Sequence, residues 1–259
     1  MLLRGYGGLK LVAALAAVLA AAGCSTQKPD PEPAGLTAVT APLGAASNRI
    51  GVLTLPPQNG SQSPTRACTA SVIDSPGRDL LVTAAHCVFS KISGPAEGLT
   101  FVPGYRNGTS PHGSWTVDRI TTDPHWEESE DPEYDVAFLH VRPLDGEQIE
   151  DVLGGNSLGL NLGFDLPVTV TGYPFTREEP ITCSTRTTAQ SSTQERFDCG
   201  AFSDGTSGSP WLTDVDPATG LGTVVGVIGG YQAGGDTPDV SYSVSFDDRV
   251  SALYREAIS

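Results

Sequence analysis

Charge, methionine and histidine are all scarce in this chain of 259 residues. Only 17% of its residues are Asp, Glu, Lys or Arg, and there are one Met and four His. Few runs carry a helical hydrophobic period, which excludes a coiled coil and a helical repeat array. No apolar run approaches the roughly 20 residues that a bilayer span needs; Leu11–Ala22, unbroken, has 12. That excludes a polytopic membrane protein. Basic residues are outnumbered 15 to 30, a net charge of −15. Such a surface repels phosphates, so no nucleic-acid partner is expected. No Cys-x-x-Cys pair occurs, so neither a zinc site nor thiol redox chemistry is suggested. No metal and no organic cofactor is expected.

What is abundant is turn chemistry, with 30 Gly and 20 Pro. The length suits one large domain or two small ones. Arg4 and Lys10 around the start of the short apolar run read as an export signal over residues 1–23. The run ends Ala21-Ala22-Gly23-Cys24, which resembles the lipobox of bacterial lipoproteins and implies that Cys24 becomes the lipidated first residue. Ala21 stands where that family usually has Leu, so ordinary signal cleavage stays open. Residues 24–45 carry Pro29, Pro31, Pro33 and Pro42 with almost no aliphatic period, and are expected to be a disordered tether. The protein is therefore expected to be exported. It would be held on the outer face of a bacterial membrane only through a lipid on Cys24, or else secreted.

Five cysteines fit an exported chain. With Cys24 lipidated, Cys68, Cys87, Cys183 and Cys199 remain. Three pairings are possible; Cys68 with Cys87 and Cys183 with Cys199 is the most economical, each loop worth about 3 kcal/mol.

From Ile50 onward apolar runs of four to seven residues alternate with turn clusters. Cys68–Ile73 and Leu80–Ala84 flank Asp74-Ser75-Pro76-Gly77, a hairpin signal. Leu99–Val102, Trp115–Ile120, Val136–Val141, Val168–Gly172, Trp211–Thr213, Gly222–Ile228 and Val240–Ser245 are further expected strands. No amphipathic helix separates them, so the fold class is all-β, an antiparallel sandwich or barrel. One helix is expected, capped by Asp247 with Val250, Leu253, Tyr254 and Ala257 on one face. Residues 144–163 read as a connector between halves, and the acidic run 127–131 as a solvated loop.

Amide hydrolysis by a hydroxyl needs a base, a group that fixes the base's tautomer, and donors for the developing oxyanion. His86 ends the run Thr83-Ala84-Ala85-His86-Cys87, where small residues leave room around the ring. Ser207 lies in Gly205-Thr206-Ser207-Gly208-Ser209-Pro210, where glycines permit a tight turn with exposed amides. Asp135 sits at the mouth of the strand Val136-Ala137-Phe138-Leu139, where a partly buried acid needs a donor such as an imidazole N–H. His112, His125 and His140 lack metal-ligand spacing and read as surface or structural residues.

These three runs in the order His, Asp, Ser resemble the trypsin/chymotrypsin-type serine proteases, over residues 46–255. The Gly-Thr-Ser-Gly-Ser-Pro run is similar to that of bacterial members, including glutamyl endopeptidase-like ones. The resemblance implies two six-stranded antiparallel β-barrels, over 46–145 and 146–259, with the active site between them and a C-terminal helix. It implies Ser207 as nucleophile, His86 as general base and then acid, and Asp135 as the group that orients the imidazole. The N–H groups of Gly205 and Ser207 would form the oxyanion hole, and Cys68–Cys87 would match the family's disulfide beside the His. A polypeptide substrate and a monomer are expected. Residue 206 is Thr where animal trypsin-like enzymes have Asp, so an activating ion pair with a new N-terminus is unavailable. Ala201 is expected near the floor of the specificity pocket and Val227–Tyr231 in its walls. Ile228 falls where glutamyl endopeptidases have His, and Gly229 and Gly230 are expected to offer backbone to a substrate strand. The competing expectations are a catalytically silent barrel that binds peptides and a structural envelope lipoprotein.

Overall fold

Short apolar runs become strands here because both of their faces find cover. The computed structural model describes residues 35–57 and 60–259. Strand β1 (Val39–Thr40) and a short helix α1 (Ala45–Asn48) lead into β2 (Ile50–Leu55), β3 (Thr65–Ile73) and β4 (Leu80–Thr83). A small hairpin of β5 (Phe89–Ser90) and β6 (Gly94–Pro95) follows, then β7 (Thr100–Pro103), β8 (Trp115–Thr122) and β9 (Ala137–Val141). Strands β2, β3, β4, β9, β8 and β7 close, in that order, into an antiparallel barrel. Helix α2 (Pro124–Ser129) lies between β8 and β9, and helix α3 (Ile149–Leu153) follows β9 in the stretch expected to connect the halves.

The second half contains β10 (Ser157–Leu158), β11 (Pro167–Gly172), β12 (Ile181–Arg186) and β13 (Thr188–Ala189). These are followed by β14 (Gln194–Asp198), β15 (Pro210–Thr213), β16 (Thr223–Val227) and β17 (Val240–Val244). Five of its strands, joined by β1, form one sheet in the order β1-β12-β11-β15-β16-β10, and β13-β14-β17 form a second. Helix α4 (Asp248–Ala257) ends the chain, with the Asp247 side chain accepting from the Arg249 N–H at 2.8 Å as expected of its cap.

Alternation along single strands feeds two cores at once. In β4, Leu81 points into the first barrel with Leu53, Phe101, Trp115 and Leu139. Its neighbours Leu80 and Val82 face the other way, joining Ile73, Phe138, Val224, Val227 and Leu253 in a cluster shared by both halves and α4. A third cluster around Val170, Phe197, Trp211 and Ile228 fills the second half. Because the shared cluster is continuous, Gly35–Ser259 coheres as one compact unit.

Two expectations change. The tether was expected to stay disordered to residue 45, yet Gly35 onward is docked. Ala38 N–H donates to Gly200 O at 3.0 Å, Gly200 N–H to Leu36 O at 2.7 Å, and β1 pairs with β12. Backbone pairing and the burial of Ala38 and Ala41 offset the ordering entropy there. The halves also exchange segments, since β1 belongs to the second half's sheet while α4 packs on β8 and β9. The acidic run 127–131 is occupied structurally. Glu127 accepts from Thr122, Glu130 from the Lys91 N–H, and Asp131 caps the turn before Asp135. The export signal and Cys24 lie outside the described residues.

Candidate active site

The stretch after β4 turns sharply because Ala84 and Ala85, both fully buried, occupy almost no space. A single 3-10 turn over Ala85–Cys87 then presents His86. The Cys68–Cys87 disulfide ties this turn to β3, and Cys183–Cys199 ties β12 to the end of β14. Both pairs are the economical ones.

Asp135 follows another 3-10 turn, Pro132–Tyr134, and its side chain is 0% exposed. A buried carboxylate must be saturated with donors, and this one accepts three. His86 N–H reaches Oδ1 at 2.9 Å, while His86 Nδ1 and Gly230 N–H reach Oδ2 at 2.8 and 2.7 Å. An ionised carboxylate only accepts, so Nδ1 carries the proton and the Nε2 lone pair is left for a substrate-side proton. Burial pushes the imidazole's pKa down, but the Asp135 charge and hydrogen bond outweigh it, and the net shift is upward. For Asp135 burial pushes upward, yet the His86 charge and the donors from His86 and Gly230 hold the carboxyl below its usual range.

Ser207 is half-buried at the apex of a turn whose glycines have little choice. Gly208 has φ +79°, and a Cβ there would sit 2.1 Å from Thr83 Oγ1 and 2.2 Å from Thr69 O. The turn is pinned to the first barrel by Thr69, a residue that sequence reasoning missed. Its N–H donates to Ser207 O at 2.8 Å and its hydroxyl to Gly205 O at 3.0 Å. The signal available was a polar residue inside an apolar strand, directly after Cys68. Among the described residues the N–H groups of Gly205 and Ser207 donate to no protein acceptor, and no hydrogen bond joins Ser207 Oγ to His86. Such contacts are often long without substrate and tighten when it binds. Thr206 is 2% exposed and its hydroxyl donates to Ser203 O at 2.7 Å, so that position is satisfied internally.

Residues 68–227, which carry His86, Asp135 and Ser207, match the family model described as the trypsin-like peptidase domain. The chain belongs to the trypsin-like peptidase family. Its fold is similar to that of the protease Anisep from Arthrobacter nicotinovorans, with TM-score 0.70 and 23% identity over 83% of this chain and 97% of that one. A thermostable serine protease, AL20, from an extremophilic microorganism gives TM-score 0.71 and 24% identity over 83% and 99% of the two chains. A Glu endopeptidase gives 0.66 and 18% over 86% and 96%. A relative from Bacillus subtilis named "Extracellular metalloprotease" is 31% identical over 113 residues, which are 43% of this chain and about a third (34%) of that protein's length. The donor set in this trypsin-like peptidase does not fit a metal. Among the described residues only Cys68, His86 and Cys87 bring three possible ligand atoms together, and both sulfurs are held in their disulfide.

Beside Ser207 lies a pocket of about 170 Å³ lined by Phe202, Ser203, Thr206 and Ile228, with Asp204 and Asp236 also in its wall. Ile228, expected in the walls of a specificity pocket, lines this one. Ala201 is not: it packs against the third core cluster, and Phe202 and Ser203 take its place in the lining. Gly229 and Gly230 line no part of the pocket, and their N–H groups are engaged internally, by Tyr242 O at 2.9 Å and by Asp135. The glycines are needed instead for close approach, since a Cβ on Gly229 would lie 2.9 Å from Asp135 Oδ2. His125 bonds Asp123, and His140 bridges Asp79 and Ala257 O; both are structural.

Proposed function

We propose that this trypsin-like peptidase is a serine endopeptidase that cleaves polypeptides with Ser207 as nucleophile, His86 as general base and then acid, and Asp135 as the group that orients the imidazole. The observation that carries the reading is the fully buried Asp135 carboxylate bonded to both the backbone and the ring of His86. It leaves the imidazole one free nitrogen on the side where substrate would enter. As the peptide carbonyl is attacked, the Ser207 proton passes to Nε2, and His86 returns it to the leaving amine. The unclaimed N–H groups of Gly205 and Ser207 are suited to stabilise the oxyanion.

Replacing Ser207 with Ala tests this. Peptidase turnover is expected to fall ~10³-fold or more with the circular dichroism spectrum unchanged, and labelling by a fluorophosphonate probe is expected to vanish. Undiminished turnover in that variant would overturn the reading, and a wild type that never labels would favour a silent peptide-binding barrel.

The pocket beside Ser207 has no Lys, Arg or His in its lining, and its carboxylates are Asp204 and Asp236. An acidic substrate side chain would meet like charge there with nothing to offset it. Cleavage after Glu or Asp is therefore expected to be the rarest class in a mixed peptide library; a dominant Glu preference would refute this assignment. The chain is proposed to act outside the cell. Its two disulfides support export, and the pattern around Cys24 supports a lipid anchor on a proline-rich tether ending near residue 35.

A further inference from the structure

Side chains on β14 alternate between two different surroundings. Gln194 faces the candidate active site, with Nε2 donating to Pro132 O and Glu133 Oε1 and Oε1 accepting from the Tyr231 N–H, each at 3.1 Å. Glu195, next along, lies on the opposite face, where it lines a separate cavity of about 220 Å³. It is 2% exposed. Its Oε2 has no hydrogen-bond partner. Ser245, just beyond β17, lines the same cavity, and its buried Oγ is also unpartnered. Two buried polar atoms left open on one wall are costly and call for a donor.

The rest of the lining says which donor. Leu162, Phe164, Leu166, Val225 and Phe246 make it largely apolar, and no Lys, Arg or His lines it. Asp247 is the other charged lining residue and is ion-paired with Arg249 at 2.8 Å, while Asp165 on the adjoining loop is paired with Arg186. An anion has nothing to bind. A hard divalent cation takes six to eight oxygens, which this hydrocarbon wall does not supply. A primary ammonium on a short aliphatic stem meets both demands, because its three N–H donors can reach Glu195 and Ser245 while its methylenes cover the apolar side chains. With a water taking roughly 30 Å³, the volume suits one such side chain and not a peptide. We infer that the cavity between β14, the loop 159–166 and the turn 245–247 is a binding site for a primary alkylammonium group, with Glu195 and Ser245 as its acceptors. The ammonium could be a lysine side chain or a free amine. The inference is independent of the hydrolytic mechanism, since none of these residues belongs to it.

The probe is n-butylammonium chloride, titrated into the intact protein by NMR and soaked into crystals, with n-butanol as the neutral isostere. Saturable binding is expected, with the nitrogen between Glu195 Oε2 and Ser245 Oγ in the soaked crystal. Affinity should fall at least tenfold in Glu195→Gln and measurably in Ser245→Ala. Burial holds the Glu195 carboxyl up at about 7, so ionising it on binding makes affinity roughly tenfold higher at pH 8 than at pH 6. Equal binding of n-butanol, unchanged affinity in Glu195→Gln, or binding at crystal concentration only would each overturn the site. Should Glu195→Gln fail to fold, Ser245→Ala and the butanol comparison decide. Nα-acetyl-lysine methylamide distinguishes the sources: binding as tight as n-butylammonium assigns a lysine side chain, and exclusion of it assigns a free amine.

Discussion

Asp135 stays ionised although no part of its side chain meets water, because three N–H donors replace the hydration it has lost. The same arrangement sets the charge state of His86. A general base must be neutral, so kcat/KM is expected to rise with pH through the His86 pKa, and the upward net shift puts the midpoint above 6.5. Asp135→Asn removes the charge that outweighs burial. The acidic limb should then move to lower pH while kcat drops by ~10³ to 10⁴. A pH–rate profile in which the limb stays in place would separate His86 from the base role. The sequence made these residues legible through their neighbours: small residues before His86, glycines around Ser207, an acid entering an apolar strand. It gave no sign that the Gly230 N–H bonds Asp135 and that Gly229 packs against the same carboxylate, since close approach of two distant segments leaves no local pattern.

Strand β3 does more than close a barrel. It carries Cys68, which braces the His86 turn, and Thr69, which holds the Ser207 turn from the other side. Thr69→Val keeps the backbone bond to Ser207 O and loses the hydroxyl that bonds Gly205 O and accepts from the Tyr173 N–H at 3.1 Å. Steady-state kinetics of this variant should show kcat reduced about tenfold or more with KM little changed, and Thr69→Ser should restore much of it. A purely structural role would lower the melting temperature and leave kcat alone. Elements with apolar runs were readable as strands, including β4, β9, β11 and β16. Strands β12 and β14 were not, because Ile-Thr-Cys-Ser-Thr-Arg and Gln-Glu-Arg-Phe-Asp bury only alternate residues or polar ones, and tertiary pairing supplies what their composition lacks.

The whole molecule is strongly acidic, with a net charge of −15, a field that draws in cationic segments of a polypeptide. Strand β1 is docked on the second half by its pairing with β12. Cys24→Ala is expected to release the enzyme into the medium with its specific activity intact, as fractionation and a peptide assay would record; retention in the membrane fraction would refute the anchor. Period-two hydrophobicity, turn residues and the spacing of cysteines are local properties of the polymer, so the all-β class could be read from the residue order, the disulfide partners as the most economical of three pairings, and His86, Asp135 and Ser207 as candidates for a triad. Which strands pair, how the strap and α4 cross between the halves, and what fills the space around Ser207 depend on contacts between segments distant in the chain, such as Leu80 with His140 and Val39 with Thr182. No local rule encodes those distances; they emerge when the shared core around Leu80, Val82 and Val227 packs.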